Sequence, residues 1–587
     1  MEARPTRWEG LNNPERFRTC EQCGTCSSAC PLTGLRDFNV RRILRHVELE
    51  RIDAVTHSPL PWFCTTCGRC ETACPNGIPI LDIIRSLRSR CSDSYVPEET
   101  PPCIKACPAG INVAAYVRWI AQGKPEEAYR VILEKVAFPG VLGRVCTHPC
   151  ETQCRRAEVN EAVSICALKR YAADAVGDPT GVRGPIEREN GHRVAVIGSG
   201  PAGLTAAYEL RKRGYQVTVF EALPVAGGML AVGIPSYRLP RAVLQREIDA
   251  ILRLGVELKL NTPVGEKPSL QDLRDEGYEA IFVAIGAHQG RRMGLEGEEA
   301  EGVIHAVDFL RRVALGEAIE LGQKVVVIGG GYTAIDAARM AWRLGAKEVT
   351  ILYRRTRKEM PAQDEEVREA EREGIRIEYL TAPTRILTRE GKLWGIECCR
   401  MKLAEPDESG RPRPIPVKDS SFVIEADQVI TAISQSPDLS WFAEKWGKRS
   451  VGGTLDVDPV TLRTEEEGIF AGGDVVGGPG TVIEAIASGK KAALSIDRYF
   501  GGKGQDEVNE ACVSLDDYSG KRDEGFADLK RIHPPTLAPS ERRQNRDEVV
   551  RCFTAEQAMM EAKRCLQCDL EWALAKRLRD RGNGLSE

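Results

Sequence analysis

The placement of its 21 cysteines is the feature that most limits how this chain can fold. No cysteine lies between Cys166 and Cys398, over a third of the chain, so cysteine chemistry is confined to the two ends. The sequence has no apolar run of the roughly 18 residues that a membrane span needs and no apolar signal segment, which predicts a cytoplasmic location. Thiols stay reduced there, so the cysteines indicate metal binding rather than disulfides.

Two motifs near the amino terminus, CEQCGTCSSACP and CTTCGRCETACP, share the spacing C-x2-C-x2-C-x3-C-P. This spacing places three thiolates around one iron–sulfur cube and sends the fourth to a neighbouring cube, so the two motifs predict two 4Fe-4S clusters. The predicted ligand sets are Cys20, Cys23, Cys26 and Cys74 for one cluster, and Cys30, Cys64, Cys67 and Cys70 for the other. Zinc is the alternative metal, although it usually takes two C-x2-C pairs.

The segment between these motifs has apolar residues at helical spacing, at Val40, Ile43, Leu44 and Val47, and ILDIIRSLRSR after the second motif has the same periodicity. A helical module is therefore predicted over residues 1–95. It resembles the α-helical diferredoxin of the iron–sulfur subunits of heterodisulfide reductase, over about residues 15 to 90.

A second group of cysteines lies in a predicted helical domain over residues 96–185 and consists of Cys103, Cys107, Cys146, Cys150, Cys154 and Cys166. Six thiolates are too many for one four-ligand cluster and too few for two. The motifs CP-x-x-I and GRVC-x-x-x-C-x-x-x-C-R resemble the iron–sulfur domain of the small subunit of glutamate synthase. That domain is shared with dihydropyrimidine dehydrogenase and NADH-dependent reduced ferredoxin:NADP oxidoreductase.

This resemblance implies where two further ligands lie. In the family a segment like EA-x-RCL-x-C stands just upstream of the CP motif, whereas this chain has EAKRCLQC at positions 561–568, on a predicted arm over residues 503–587. The implied sets are Cys103, Cys154, Cys565 and Cys568, and Cys107, Cys146, Cys150 and Cys166. Two alternatives stay open: Cys565 and Cys568 form a pair on a surface helix, or Cys166 is a buried thiol whose place a neighbouring residue takes.

The stretch HRVAVIGSGPAGLTAAYELRKRGYQVTVFEA predicts strand, helix and strand, with the G-x-G-x-x-G fingerprint at Gly198, Gly200 and Gly203 and an acid, Glu221, after the second strand. The glycines let the backbone approach a pyrophosphate at a helix N-terminus, and the acid accepts hydrogen bonds from a ribose. A dinucleotide-binding domain is therefore predicted over residues 190–316 and 445–502.

A second copy, KVVVIGGGYTAIDAARMAWRLGAKEVTILYRRTRKEMPA, has Gly329, Gly331 and Ala334 at the fingerprint positions, within a domain predicted over residues 317–444. Arg354 and Arg355 stand near the place that Glu221 takes in the first copy. Guanidinium groups there can form charge-assisted hydrogen bonds to the 2′-phosphate of NADP. The second site is therefore predicted to bind NADP(H), with NAD(H) as the alternative if the arginines form only a solvated loop.

Two such units, one inserted in the other, resemble the two-dinucleotide flavoprotein reductases. The resemblance extends to GGMLAVGIPSYRLP, VAIGA and GIFAGGDVVGGPGTVIEAIASGKKAA, although this chain has Ser434 where the family usually has Gly. It implies FAD in the first site, with further contacts from Gly228, Met229, Gly286, Asp474 and Thr481. Asp474 would bind the FAD pyrophosphate or ribityl chain. Thr481 begins a helix whose positive end would face the flavin and favour its anionic reduced form.

The expected fold class is multidomain, with α-helical 4Fe-4S ferredoxin domains followed by an α/β, Rossmann-like, two-dinucleotide flavoprotein reductase. The predicted enzyme exchanges hydride between NADP(H) and FAD and passes single electrons through four 4Fe-4S clusters to or from a partner subunit, through the N-terminal diferredoxin. That partner would be hydrogenase-, dehydrogenase- or heterodisulfide-reductase-like. No catalytic side chain is predicted, and the net charge of −4 gives no reason to expect a nucleic-acid or membrane partner. The alternatives are a glutamate synthase small subunit and a non-catalytic electron wire.

Overall fold

The computed structural model describes residues 19–96, 100–179, 186–406, 410–450, 452–505, 518–543 and 545–583. The start of the predicted diferredoxin, residues 1–18, and residues 506–517 of the predicted arm lie outside these ranges. Within them, no helix combines the length and the apolar character that crossing a bilayer requires.

The N-terminal module is helical, as its periodicity predicts. Asn39 caps helix Val40–Glu48, because the Asn39 side chain accepts a hydrogen bond from the Arg42 N–H at 3.0 Å. The apolar stripe predicted on that helix is buried in one apolar cluster with residues of the final helix of the module. The helices are Thr25–Ala29, Val40–Glu48, Asp53–Thr56, Leu60–Phe63, Arg69–Thr72 and Ile80–Ser89.

The next domain is a second group of helices, four of which have proline in their first turn, where the missing N–H is tolerated. Two of its helices cross closely at Gly143, where an added Cβ would lie 2.5 Å from the Arg170 Cα. The helices are Pro102–Lys105, Val113–Ala121, Pro125–Leu133, Pro139–Val145, Pro149–Thr152 and Ile165–Val176.

This domain shares one hydrophobic core with the first α/β unit. Glu247 of that unit is buried and accepts hydrogen bonds from the N–H groups of Gly140 at 2.6 Å and Val141 at 2.9 Å. A side chain of the α/β unit therefore satisfies the open N-terminus of helix Pro139–Val145. The iron–sulfur domain is fixed to the unit by both apolar packing and hydrogen bonds.

The first α/β unit is a five-stranded parallel sheet in the order β16-β4-β1-β2-β3. Its strands are β1 (Arg193–Ile197), β2 (Gln216–Phe220), β3 (Glu257–Lys259), β4 (Ala280–Val283) and β16 (Ile469–Ala471). Its helices are Pro201–Lys212, Met229–Val232, Arg241–Leu252, Leu270–Asp275, Asp474–Gly477 and Val482–Tyr499.

The second α/β unit is also a five-stranded parallel sheet, in the order β6-β14-β7-β8-β9. Its strands are β6 (Val303–His305), β7 (Lys324–Ile328), β8 (Glu348–Tyr353), β9 (Arg376–Tyr379) and β14 (Gln428–Thr431), and its helices are Ala306–Ala314, Tyr332–Arg343 and Asp364–Arg372. An antiparallel sheet follows, made of β10 (Thr381–Arg389), β11 (Lys392–Pro406), β12 (Pro412–Pro416) and β13 (Phe422–Glu425). Between the units, β5 (Gln289–Gly290) pairs with β15 (Gln435–Ser436).

The border between the two units differs from the expected one at residue 316. β6 pairs in parallel with β14, and Ala306, Phe309, Leu310 and Val313 of the following helix belong to the core of the second unit. The structure therefore places these residues with the second dinucleotide unit. The sequence pattern did not indicate this because a three-residue strand has too few side chains for a clear periodicity.

The described part of the C-terminal arm contacts three domains. Val549 belongs to the core of the second unit, and its N–H donates to the Tyr237 carbonyl at 3.0 Å. Helix Ala555–Ala562 packs against Val113–Ala121, and helix Cys568–Asn583 packs against Ile80–Ser89 of the N-terminal module. A short helix, Pro539–Arg542, precedes them. The arm thus joins the second α/β unit to both iron–sulfur modules.

Candidate functional site

A cavity of about 400 Å³ opens at the carboxyl end of the first sheet, where α/β sheets bind their ligands. Eight of the residues predicted to contact FAD line it: Gly198, Gly200, Glu221, Gly228, Met229, Gly286, Asp474 and Thr481. The structure therefore brings together residues that are almost 300 positions apart in sequence.

Two glycines of the first fingerprint, Gly200 and Gly203, have different structural roles. An added Cβ at Gly203 would lie 2.0 Å from the Gly198 carbonyl oxygen, so this glycine lets helix Pro201–Lys212 pack onto β1. At Gly200 no protein atom lies within 4 Å of an added Cβ, so the backbone is open to the cavity at the N-terminus of that helix. These features fit a dinucleotide pyrophosphate.

Glu221 is fixed at the cavity wall. Its Oε2 accepts hydrogen bonds from the Ser199 N–H at 2.9 Å and the Ser199 hydroxyl at 2.6 Å, and its Oε1 accepts from the Leu223 N–H at 2.8 Å. A carboxylate oxygen accepts more than one hydrogen bond, so this group retains the capacity to accept from ribose hydroxyls.

The helix that begins after Thr481 presents its N-terminus to the same cavity, which Thr481 and Val482 line. Thr481 and Glu484 form a capping box, in which the Thr481 N–H and hydroxyl each donate to Glu484 Oε2 at 2.7 Å. The Glu484 carboxylate offsets part of the positive charge that the sequence predicts at this helix end. Burial raises the pKa of Asp474 nearby, while the Gly480 N–H donates to its Oδ1 at 3.2 Å.

A second cavity, of about 800 Å³, lies at the carboxyl end of the second sheet. Gly329, Gly331, Arg354 and Arg355 line it, whereas Ala334 is fully buried and has the packing role that Gly203 has in the first unit. In the described part of the chain, the lining includes five arginines and no acidic residue. Such a wall favours an anionic ligand. Ser434 also lines this cavity, and its carbonyl accepts from the Arg291 N–H at 3.1 Å.

The two cavities meet at one loop. Pro479 lines the second cavity, and the next residues, Gly480 and Thr481, line the first. The loop precedes the helix whose N-terminus faces the first cavity. Ligands in the two cavities would therefore approach each other there.

The cysteines of the N-terminal module line two small cavities. One is lined by Cys20, Cys23, Cys26 and Cys74, and the other by Cys30, Cys64, Cys67 and Cys70. These are the two sets that the motif spacing predicts, with the fourth cysteine of each motif in the other motif's set. Burial raises the pKa of Cys30 to about 11, so a proton must be displaced by a metal before its thiolate forms.

The remaining predicted ligands also form two groups, which include cysteines from both ends of the chain. Burial and then the neighbouring Cys565, Cys568, Cys154 and Cys150 sulfurs raise the pKa of Cys103. Lys169 is buried beside the other group, where the sulfurs of Cys146, Cys166, Cys150 and Cys107 oppose its desolvation and raise its pKa. Apart from Cys150, which also lies near Cys103, these neighbours belong to the two sets implied by the family resemblance. The donor sets, four thiols each, fit 4Fe-4S clusters.

Among the described residues, no group of three or more His, Cys, Asp or Glu side chains converges on one metal-ion position. In a 4Fe-4S cube each thiolate binds a different iron, so the four sulfurs surround the cube instead of meeting at one point.

An apolar cluster joins the N-terminal module to the C-terminal arm. It contains Cys67, Val159, Phe526, Ala527 and Leu566, with Cys568 packed against it. Arg156 is fully buried beside it and donates to the carbonyls of Phe526 at 2.8 Å and Arg564 at 3.2 Å. One apolar cluster therefore contacts both a cysteine of the N-terminal module and a cysteine that the arm brings from the other end of the chain.

The fold and these cavities define a class of protein: a two-dinucleotide oxidoreductase joined to 4Fe-4S ferredoxin domains. Residues 192–489 match the family model of pyridine nucleotide-disulphide oxidoreductases. Residues 19–78 match a 4Fe-4S dicluster domain, and residues 88–179 match dihydropyrimidine dehydrogenase domain II, 4Fe-4S cluster. The chain belongs to the pyridine nucleotide-disulphide oxidoreductase family. The predictions of fold class, of oxidoreductase activity and of iron–sulfur domains are thereby confirmed.

Relatives from three organisms are among those that match most of the chain. The β subunit of an NADP(+)-dependent formate dehydrogenase from Moorella thermoacetica is 45% identical over 508 residues, 81% of this chain and 71% of that protein. The β subunit of an NADPH-Fe(3+) oxidoreductase from Geobacter sulfurreducens is 41% identical over 84% of this chain and 80% of its own length. The small chain of glutamate synthase from Azospirillum brasilense is 37% identical over 72% of this chain and 90% of its own length. The predicted similarity to glutamate synthase small subunits is confirmed.

Proposed function

We propose that this chain is the NADP-linked electron-transfer subunit of a larger redox complex, which exchanges hydride between NADP(H) and FAD and passes single electrons through four 4Fe-4S clusters. The meeting of the two cavities at residues 479–481 is the observation that supports it most. Hydride transfer needs the two reacting rings in contact, and proximity of this kind supplies much of the catalysis. Two relatives named as β subunits, of a formate dehydrogenase and of an Fe(3+) oxidoreductase, support a dehydrogenase-like partner.

The residues have distinct roles in this proposal. Bound FAD would supply the exchange between two-electron and one-electron chemistry. Gly200 opens the backbone to its pyrophosphate, Glu221 accepts from its ribose, and the N-terminus after Thr481 faces its ring system. Gly329 and Gly331 hold the second pyrophosphate, and the arginines of the second cavity select the phosphorylated nucleotide.

The packing of the domains supports an order for the clusters. The helical domain that contains Cys107, Cys146, Cys150 and Cys166 docks on the FAD unit through Glu247 and shares its core. The set with Cys565 and Cys568 follows, since Cys103 lies near both groups. The set with Cys67 is next, across the apolar cluster. The set with Cys23 is outermost, and Cys23 is exposed, which suits exchange with a partner subunit.

Anaerobic mixing of the purified holoprotein with NADPH is expected to bleach the flavin absorbance and to produce EPR signals of reduced clusters. Two valine variants separate the sites, because Gly200 (φ −68°) and Gly331 (φ −89°) tolerate a side chain and have no protein atom within 4 Å of an added Cβ. Gly200→Val should lose FAD and keep its iron. Gly331→Val should keep FAD, but NADPH should reduce it roughly 10- to 100-fold more slowly because the side chain overlaps the pyrophosphate.

Reduction of Gly331→Val at the wild-type rate would refute the assignment of the second cavity. Wild-type protein that binds its clusters but no flavin would instead support the alternative of a non-catalytic electron wire.

A further inference from the structure

The five arginines of the second cavity are not equivalent. Arg291 and Arg292 lie beside β5 with Ser434 and Pro479, at the end where the cavity meets the FAD site. Arg292 forms an ion pair with Glu299, and Arg291 Nη2 donates to the Gly452 carbonyl at 3.2 Å. Arg354 and Arg355 follow β8, at the far end, and Arg411 lines the cavity as well. The 2′-phosphate of a dinucleotide belongs near the end of this second strand.

We infer that Arg354 and Arg411 form the 2′-phosphate clamp, and that Arg355 is a positioning residue that holds Arg411 in place. This inference rests on the proposed binding of NADP(H) in the second cavity. It assigns the nucleotide specificity to a different pair of arginines from the adjacent pair that the sequence indicates.

Arg355 is poorly placed to bind a phosphate directly. It is 3% exposed, and its Nε donates to the Pro412 carbonyl at 2.8 Å. Its side chain also hydrogen-bonds to Tyr353. A buried guanidinium with these partners would have to leave them in order to turn toward a ligand, at a cost in unsatisfied hydrogen-bonding groups. Its side chain therefore ties the end of β8 to the start of β12.

Arg411 lies at the point that Arg355 fixes. It directly precedes β12, whose register on β11 pairs Ala404 with Arg413 and Pro406 with Pro412. Prolines at both ends and in the middle of β12 restrict its backbone, which limits where Arg411 can lie. Arg411 is exposed, lines the cavity and lowers the pKa of Tyr353 after burial raises it, which places its charge near the end of β8.

Arg354 is the second exposed guanidinium at this end of the cavity. In the described ranges, no carboxylate forms an ion pair with it. Guanidinium groups reach one cavity from the end of β8 and from the start of β12, and a phosphate between them would accept charge-assisted hydrogen bonds from both. The arrangement thus fits a doubly charged anion better than a ribose hydroxyl.

Four methionine variants of the holoprotein test the inference, with NADPH and NADH dissociation constants measured by titration and 2′,5′-ADP as a phosphate probe. Arg354→Met and Arg411→Met should each raise the dissociation constants of NADPH and 2′,5′-ADP roughly 10- to 100-fold. The dissociation constant of NADH should rise less than about 2-fold. Arg413→Met is the matched control, because Arg413 is exposed on the same strand and does not line the cavity. This variant should leave the dissociation constants of both nucleotides unchanged.

The positioning role of Arg355 has its own readout. Arg355→Met should weaken NADPH binding. In the double variant with Arg411→Met it should weaken NADPH binding little further, because both substitutions remove the same contact with the nucleotide. In the double variant of Arg355→Met with Arg354→Met, the two losses of NADPH binding free energy should be additive. Arg411→Lys should restore part of the NADPH affinity because an ammonium still binds phosphate.

The outcomes separate this inference from the proposed function. Preference of the wild-type protein for NADPH together with no effect of Arg411→Met overturns the clamp but leaves the NADP(H) site intact. Equal affinity of the wild-type protein for both nucleotides overturns the NADP(H) assignment itself. Additive effects of Arg355→Met and Arg411→Met overturn the positioning role.

Discussion

Truncation after residue 550 is expected to remove one 4Fe-4S cluster of four and to release the N-terminal module from the rest of the chain. The cut removes Cys565 and Cys568, which lie with Cys103 and Cys154. It also removes helix Cys568–Asn583, which packs on Ile80–Ser89. Iron should fall from about sixteen to about twelve atoms per FAD, since each cluster holds four. Bound FAD and the two N-terminal clusters should remain.

The matched control is Cys552→Ser, which changes a cysteine of the same arm that has no assigned role. It should leave the iron content unchanged, whereas Cys565→Ser with Cys568→Ser should reproduce the loss of one cluster without removing the helix. A truncated protein that keeps all its iron and its full set of EPR signals would show that Cys565 and Cys568 are not ligands.

Replacement of Glu571 by alanine should destabilise the contact between the arm and the N-terminal module by about 3 to 5 kcal/mol, because it leaves buried guanidinium groups unpaired. Glu571 is 3% exposed, and Arg85 donates to it from Nε at 3.0 Å and from Nη2 at 2.8 Å. Arg88 lies 3.4 Å away, and the Tyr518 hydroxyl donates at 2.6 Å. Hydrogen exchange over residues 80–89 should rise, and NADPH should no longer reduce the N-terminal clusters in the EPR spectrum.

The control for this change is an exposed pair at the same contact. Arg69 and Asp528 form an ion pair at 2.6 Å with 30% and 72% of their side chains exposed, so Asp528→Ala should cost less than about 1 kcal/mol. Equal hydrogen exchange in Glu571→Ala and the wild-type protein would contradict the role assigned to Glu571.

The pH dependence of this contact follows from the same carboxylate. Although burial opposes ionisation, hydrogen bonds and charges from Arg85, with further charges from Arg88 and Arg522, lower the pKa of Glu571 to about 2 from an ordinary value of 4.5. Its contribution is therefore complete above about pH 4.5 and is lost as the pH falls toward 2.

The sequence could predict which N-terminal cysteines lie together, and where the fingerprints lie, because both depend on spacing along the chain. In the C-x2-C-x2-C-x3-C-P motifs the geometry of a cube determines which cysteines group together, so the cavity lined by Cys20 and Cys74 could be expected. The fingerprint glycines were predictable as well, because the strand–turn–helix of a dinucleotide site requires residues without a side chain at fixed positions. The match of EAKRCLQC also indicated that the two chain ends meet.

Other contacts between distant segments were not predictable. Arg85 and Arg88 occupy a helix whose arginines look solvent-exposed in sequence, yet their partner, Glu571, lies almost 500 positions away. Adjacent Arg354 and Arg355 appear equivalent in sequence, but the end of a strand directs successive side chains to opposite sides, so one is exposed and the other buried. No local sequence pattern indicated that Glu247 would cap helix Pro139–Val145.

The central claim is that one chain holds one FAD and four 4Fe-4S clusters, with ligands from both ends. Iron, acid-labile sulfide and FAD measured on the same anaerobically prepared full-length sample test it most directly. We predict about sixteen irons and sixteen sulfides per FAD, four of each for every cluster. A reproducible value of about eight irons per FAD would contradict it, because the second group of cysteines and the arm would then hold no clusters.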